Sequence, residues 1–227
     1  MSRALLLGKR ILVTQAADFM GPTLCTVLDS HGAAVIPDYS DLSHPSAAAD
    51  CIQAAGDVDV LVVNLSIRAP STPAESADDE EWRGVFSSLV DPLPRLMRAV
   101  LPQMKQRSSG KILVMGSASA LRGMKRASTY SAARGAQLAY AQAAGIELAS
   151  MNIQVNAIAQ NFVDNPTYFP PEVQSNPKFV QRLAREVPLG RLVSAEEDAQ
   201  FAAYLCSDHA DCFVGQVFPV CGGWVQR

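Results

Sequence analysis

The chain has 227 residues, 48% hydrophobic and 18% charged, with a net charge of −3. These values suit one globular domain spanning 1–227 and supply no basic stripe for nucleic acid. No apolar run reaches the ~18 residues of a membrane span, and the run within Met1–Lys9 is too short for a signal peptide, so a cytoplasmic protein is expected.

Short, continuous apolar runs predict strands at Arg10–Thr14, Ala34–Ile36, Val58–Asn64, Lys111–Met115, Ile153–Ile158 and Gln216–Val220. Amphipathic segments at 19–31, 46–55, 77–106, 124–149 and 194–206 fall between or beside them. This alternation predicts an α/β fold, a doubly wound, Rossmann-like parallel sheet with helices on both faces. Right-handed crossovers then bring Thr14, Asn64, Ser117 and the 159–170 loop to one sheet edge, where a ligand site belongs. Asn165-Pro166, Pro170-Pro171 and Asn176-Pro177 predict a long irregular loop there. Cys25, Cys51, Cys206, Cys212 and Cys221 are odd in number and never spaced C-x-x-C, which predicts reduced thiols. His31, His44 and His209 are isolated, so no metal is expected.

Tyr130 and Arg134 stand at i and i+4 of the helix predicted over 124–149, on one face. Taken alone, such a pair is usually a surface contact. Ser117 follows the strand that ends in Val114-Met115-Gly116, upstream of Tyr130. A free phenol, with a pKa of ~10, is a poor base near neutrality, and a permanent neighbouring cation lowers that value. Arg134 can supply the charge but cannot itself lose a proton. Ser117 can hold a substrate oxygen beside Tyr130. The residues thus predict a phenolate base acting on a hydroxyl.

The spacing Ser-x12-Tyr-x3-basic, together with Gly110-Lys111-Ile112, the Asn152 to Asn156 stretch and the terminal Gly215-Gln216 and Gly222-Gly223-Trp224, resembles the short-chain dehydrogenase/reductase superfamily over nearly the whole chain. A dinucleotide-binding member would carry Thr-Gly-x-x-x-Gly-x-Gly after the first strand. Here the stretch reads Thr14-Gln15-Ala16-Ala17-Asp18-Phe19-Met20-Gly21. Only Gly21 remains, and Gln15 and Phe19 oppose the tight turn and the close approach of backbone to pyrophosphate. Asp38 could hold a ribose, but is read as a solvated strand end. Asn64-Leu65-Ser66 replaces Asn-Ala-Gly, and Leu89 stands where an asparagine of the proton relay is expected. No cofactor is therefore expected.

Ser-Tyr-Arg without a cofactor loop resembles the halohydrin dehalogenases of this superfamily, most closely their B-type members. The resemblance implies that Ser117 positions the substrate oxygen, Tyr130 is the general base and Arg134 lowers its pKa. It implies a halide and substrate pocket formed by Phe19, Gln160, Asn161, Phe162, Val163, Tyr168 and Phe169, with loop N–H groups between Gln160 and Val163 as halide donors. The implied reaction closes an epoxide from a vicinal haloalcohol, releasing halide and a proton. In reverse, halide, azide, cyanide or nitrite opens the epoxide. A homotetramer is also implied, and Leu138, Tyr140 and Ala144 are candidates for its interface; a cross-subunit role for Trp224 near the chain's end is not expected. Two other readings stay open: an NAD(P)-dependent oxidoreductase with a divergent cofactor loop, and a catalytically inactive binding protein of the same fold.

Overall fold

The computed structural model describes residues 4–226. Met1, Ser2 and Arg3, part of the stretch read for a signal peptide, and Arg227 lie outside the described residues. Six parallel strands, β1 (Arg10–Val13), β2 (Ala34–Pro37), β3 (Val60–Asn64), β4 (Gly110–Ser117), β5 (Ile153–Gln160) and β6 (Val217–Val220), form one sheet in the order β2-β1-β3-β4-β5-β6. Every residue of β3, β4 and β5 is buried, which explains why these strands read as unbroken apolar runs.

The pleat divides each strand between two cores. Ile11, Val13, Val60, Val62, Leu113 and Met115 face α1 (Gly21–Ser30) and α9 (Ala195–Cys206). Leu12, Leu61, Val63, Ile112 and Val114 face the other helices: α2 (Ala47–Ala55), α3 (Asp79–Leu89), α4 (Pro92–Arg107) and α6 (Ser128–Leu148). The chain winds outward from β1 to β2 and then crosses to β3, so a crevice opens where the order reverses, beyond the carboxyl ends of β1 and β3. Along the same edge, register places Ser117 at the end of β4 directly beside Gln160 at the end of β5.

The segment predicted over 77–106 is two helices. Asp78 caps α3 by accepting from Glu81 N, and the chain turns at Val90-Asp91 before Pro92 opens α4. Proline suits a first turn because its missing N–H is not needed there. The same chemistry corrects the long irregular loop. Pro171 and Pro177 open α7 (Pro171–Gln174) and α8 (Pro177–Glu186), and Asn176 caps α8 by accepting from Lys178 N. A short α5 (Ser119–Arg122) follows β4, and α6 begins at Ser128 rather than at 124. The Ser194/Glu197 capping box starts α9.

All five cysteines are free thiols, and no cluster of three or more His, Cys, Asp or Glu side chains with metal-binding geometry occurs among the described residues. No helix among them is long and apolar enough to cross a membrane.

Gly21 packs against backbone: a Cβ there would lie 2.5 Å from Ala16 O. Gly21→Ala is expected to cost about 1–3 kcal/mol. Urea denaturation checks this, and an unchanged midpoint would count against the close packing of this turn.

Candidate active site

A cavity of about 250 Å³ opens beyond the carboxyl ends of β4 and β5. Ser117 and Tyr130 both line it, with Phe19 from the turn after β1 and Gln160, Asn161, Phe162 and Val163 from the end of β5. Tyr168 and Phe169 complete the wall predicted from sequence. The volume lies below the usual range for drug-sized ligands and suits a small molecule.

Arg134 lies beneath Tyr130, outside that lining. The inward stripe of α6 runs through Tyr130, Ala133, Arg134, Gln137, Leu138, Ala141 and Gly145, the spacing of one helical face. Tyr130 is 5% exposed and Arg134 fully buried, so they are not a surface pair. The guanidinium carbon lies 5.1 Å from the Tyr130 ring centroid. Its Nη1 donates to Met115 O at 3.2 Å and to Gln137 Oε1 at 2.9 Å, both neutral acceptors. Nε and Nη2 reach no acceptor among the described residues. Gln137 in turn donates to Leu89 O, so Leu89 serves this face through its backbone, its side chain being core.

Ser117 Oγ lies 2.9 Å from Ser119 Oγ and accepts from Ser119 N at 3.2 Å. These contacts hold the hydroxyl at the end of β4. Tyr168 Oη donates to Ile67 O and lies 3.4 Å from Tyr130 Oη. Burial, reinforced by the neighbouring Tyr130, pushes the Tyr168 phenol above its ordinary range. Tyr168 therefore stays a neutral phenol in the cavity wall.

The loop after β5 alters the expected donor set. Asn161 N–H is committed to Val220 O, and Phe162 N–H to Asn161 Oδ1. From Asn161 to Val163, only the Val163 N–H has no protein acceptor among the described residues. Phe162 adopts a left-handed φ of 52° and is packed on several sides. Its ring centroid lies 6.1 Å from those of Phe169 and Trp224, and Arg182 lies 5.4 Å above its face. Trp224 is buried within its own chain, where Arg122 donates to its carbonyl. Leu138, a candidate for a subunit contact, instead packs in this chain's core against Gly116. Ala144 also packs on that core, whereas Tyr140 is exposed.

The turn after β1 keeps the left-handed backbone that glycine favours, although side chains now occupy it. Gln15 has φ 45° and Phe19 has φ 52°. Such conformations are uncommon outside glycine and persist where their surroundings hold them. Asn64 Nδ2 donates to Gln15 O at 3.0 Å and to Asp18 O at 3.1 Å, while Gln15 Oε1 accepts from Ser66 N at 2.7 Å. The Phe19 ring packs edge-on to Tyr168 at 5.9 Å. Asp38 is half-buried rather than solvated. Its Oδ1 accepts from the Ser40 hydroxyl, and burial, reinforced by the neighbouring Asp38, pushes the Cys51 thiol up to about 12.

Several contributors were not singled out from sequence. Met124, Phe179 and Arg182 line the cavity, the last two from the unpredicted α8. The Asn176-Pro177 pair was the available signal for that helix, because it is also a helix-opening pair. Ser119 was legible as a second hydroxyl two residues after Ser117. Asp198 is fully buried on α9 and accepts from Gln160 Nε2. Only the fold brings it to the site.

A solved structure described as a dehalogenation enzyme is 31% identical, covers 97% of this chain and 100% of its own, and superposes with a TM-score of 0.91. A halohydrin dehalogenase bound to ethyl (2S)-oxiran-2-ylacetate is 30% identical, covering 96% of this chain and 99% of its own with a TM-score of 0.88. Among curated relatives, the 3-oxoacyl-[acyl-carrier-protein] reductase of Salmonella typhimurium is 27% identical over 95% of this chain and 87% of its own length. The family model described as enoyl-(acyl carrier protein) reductase matches residues 7–225. With that match over almost its whole length, the chain belongs to the short-chain dehydrogenase/reductase family.

Proposed function

We propose that this protein is a halohydrin dehalogenase, a cofactor-independent lyase that interconverts vicinal haloalcohols and epoxides. One observation carries the reading: the serine and tyrosine line a cavity walled by Phe19, with the buried cation against the tyrosine ring, where a nicotinamide enzyme needs an open cradle. The residues after β1 do not fit a dinucleotide. Gln15 crosses to Ser66 N, and the Phe19 ring fills the approach toward Tyr168. A pyrophosphate needs bare backbone at those positions.

In the proposed reaction the Tyr130 phenolate takes the proton of a substrate hydroxyl held by Ser117. The oxygen attacks the neighbouring carbon from behind, the epoxide C–O bond forms, the carbon–halogen bond breaks, and halide leaves with the bonding electrons. Arg134 is a buried cation whose hydrogen bonds among the described residues go to two neutral acceptors, so its charge is free to stabilise negative charge forming above it. Aromatic walls exclude water, and the Val163 N–H is the loop donor available to the leaving halide. In reverse, halide, azide, cyanide or nitrite would open an epoxide in the same site. The homologous solved dehalogenases support this reading. A homotetramer belongs to the same proposal. Its candidate contacts are the exposed Tyr140 and Ile146 of α6 and the stacked Trp82–Phe86 pair of α3. Light scattering tests the assembly, and a monomer would remove it.

The wild-type protein is expected to release halide and acid from a small vicinal bromo- or chloroalcohol with no nicotinamide added, and Tyr130→Phe to lower that rate by at least about 10²-fold. Ion-selective measurement of halide decides this. No release across a panel of such alcohols would overturn the reading.

The sequence relatives favour a second reading, reduction of a ketone by a nicotinamide cofactor. It is separated by titrating NADH and NADPH against protein fluorescence, where no saturable binding is expected. Arg134→Lys is expected to slow halide release by about tenfold or more, since only the guanidinium offers this fixed, planar charge. Tight cofactor binding, with reductase activity surviving that substitution, would favour the reductase instead.

A further inference from the structure

Asp198 sits in the first turn of α9 and is 0% exposed, beneath Gln160 in the cavity wall. Gln160 Nε2 donates to Asp198 Oδ2. That single bond leaves Asp198 Oδ1 and Gln160 Oε1 both fully shielded and without a donor among the described residues. An ionised carboxylate has no proton to offer, so both buried acceptors would stay unsatisfied, which is costly. Exchanging the amide's N and O only moves the problem, because one acceptor still lacks a donor.

Among the described residues no charged group is paired with Asp198. On the elements packed against α9, Lys111 lies at the opposite end of β4 and is paired with Asp211, and His31 after α1 is bonded to Gln200. Asp29 of α1 and Glu196 of α9 are exposed and carry the same sign, and Glu197 is paired with Arg191. The N-terminus of α9 favours an anion, but weakly compared with the cost of burying one. Burial pushes the Asp198 carboxyl up to about 7, against an opposing pull from the Gln160 hydrogen bond.

We propose that Asp198 is a neutral carboxylic acid in the folded protein, its O–H donated to Gln160 Oε1 while Gln160 Nε2–H donates to its other oxygen, and that this two-point pair positions Gln160. One proton satisfies both orphaned acceptors. The pair fixes the last residue of β5, whose carbonyl accepts from Ala118 N, next to Ser117, and from which the Asn161–Val163 loop departs. It also keeps negative charge from behind that loop, a consequence that rests on the proposed binding of halide there.

The test uses the purified full chain without substrate, so it stands apart from the dehalogenation assay. Infrared spectroscopy at mildly acidic pH is expected to show a deuterium-sensitive band of a protonated, hydrogen-bonded carboxyl that is absent in Asp198→Asn. Gln160→Leu should shift that band to higher frequency, because the acid loses its acceptor. Asparagine can make both bonds without a titrating proton and should preserve the melting temperature, whereas Asp198→Ala should lower it by roughly 5 °C or more.

The pH dependence has a defined sign. The folded-state value lies above the ordinary 3.8, so between about 4 and about 7 the folded protein holds a proton that the unfolded chain has lost. Wild-type stability, relative to Asp198→Asn, should fall as pH rises through that window and level off above it. Absence of the protonated band, a band insensitive to Gln160→Leu, or a flat pH difference with Asp198→Asn as unstable as Asp198→Ala would each overturn the proposal.

Discussion

Arg134 is a buried cation with no carboxylate paired to it among the described residues, and the site is arranged around that charge. Removing a guanidinium from water is expensive, and the return comes from hydrogen bonds to Met115 O and Gln137 and from the Tyr130 ring above it. Gln137 is itself held by Leu89 O, so α3, α6 and β4 are joined at one point. An inward stripe of α6 that carries Tyr130 and Arg134 a turn apart cannot place one without placing the other. Catalytic geometry and helix packing are here the same constraint.

The turn after β1 shows how a backbone shape outlasts the residues that favour it. Gln15 and Phe19 both occupy left-handed conformations, and the Asn64 amide ties the turn from inside. Side chains now project from positions where a dinucleotide would need bare backbone. The strain at these residues is held by the same turn that brings Phe19 against Tyr168. Phe162, also left-handed, has a comparable role in the opposite wall, clasped between Phe169, Trp224 and Arg182.

Most of the sheet was legible because period-2 burial on both faces leaves apolar runs that nothing else explains, and all six strands appear where such runs stand. The helices were less so. The 77–106 pattern stays amphipathic across Val90-Asp91, so only Pro92 marks the break, and the proline pairs after 164 open helices as readily as they interrupt them. At the site, Ser117, Tyr130 and Arg134 were readable from spacing. Arg182 and Asp198 were not, since Arg182 stands on a helix that the pattern did not reveal and Asp198 acts through Gln160, distant in sequence.

Local patterning by itself determined the strand and helix alternation, the parallel sheet and the alignment of Tyr130 with Arg134, because these depend on periodicities within a few turns of chain. Which loop N–H groups are already committed, that Leu138 belongs to the core, that Trp224 supports Phe162 and that Asp198 lies under Gln160 were decided only by the tertiary structure. The physical reason is that burial and hydrogen-bond satisfaction belong to the packed whole: local sequence does not distinguish a carboxyl on an exposed first turn from one sealed behind a strand end, where a charge is costly.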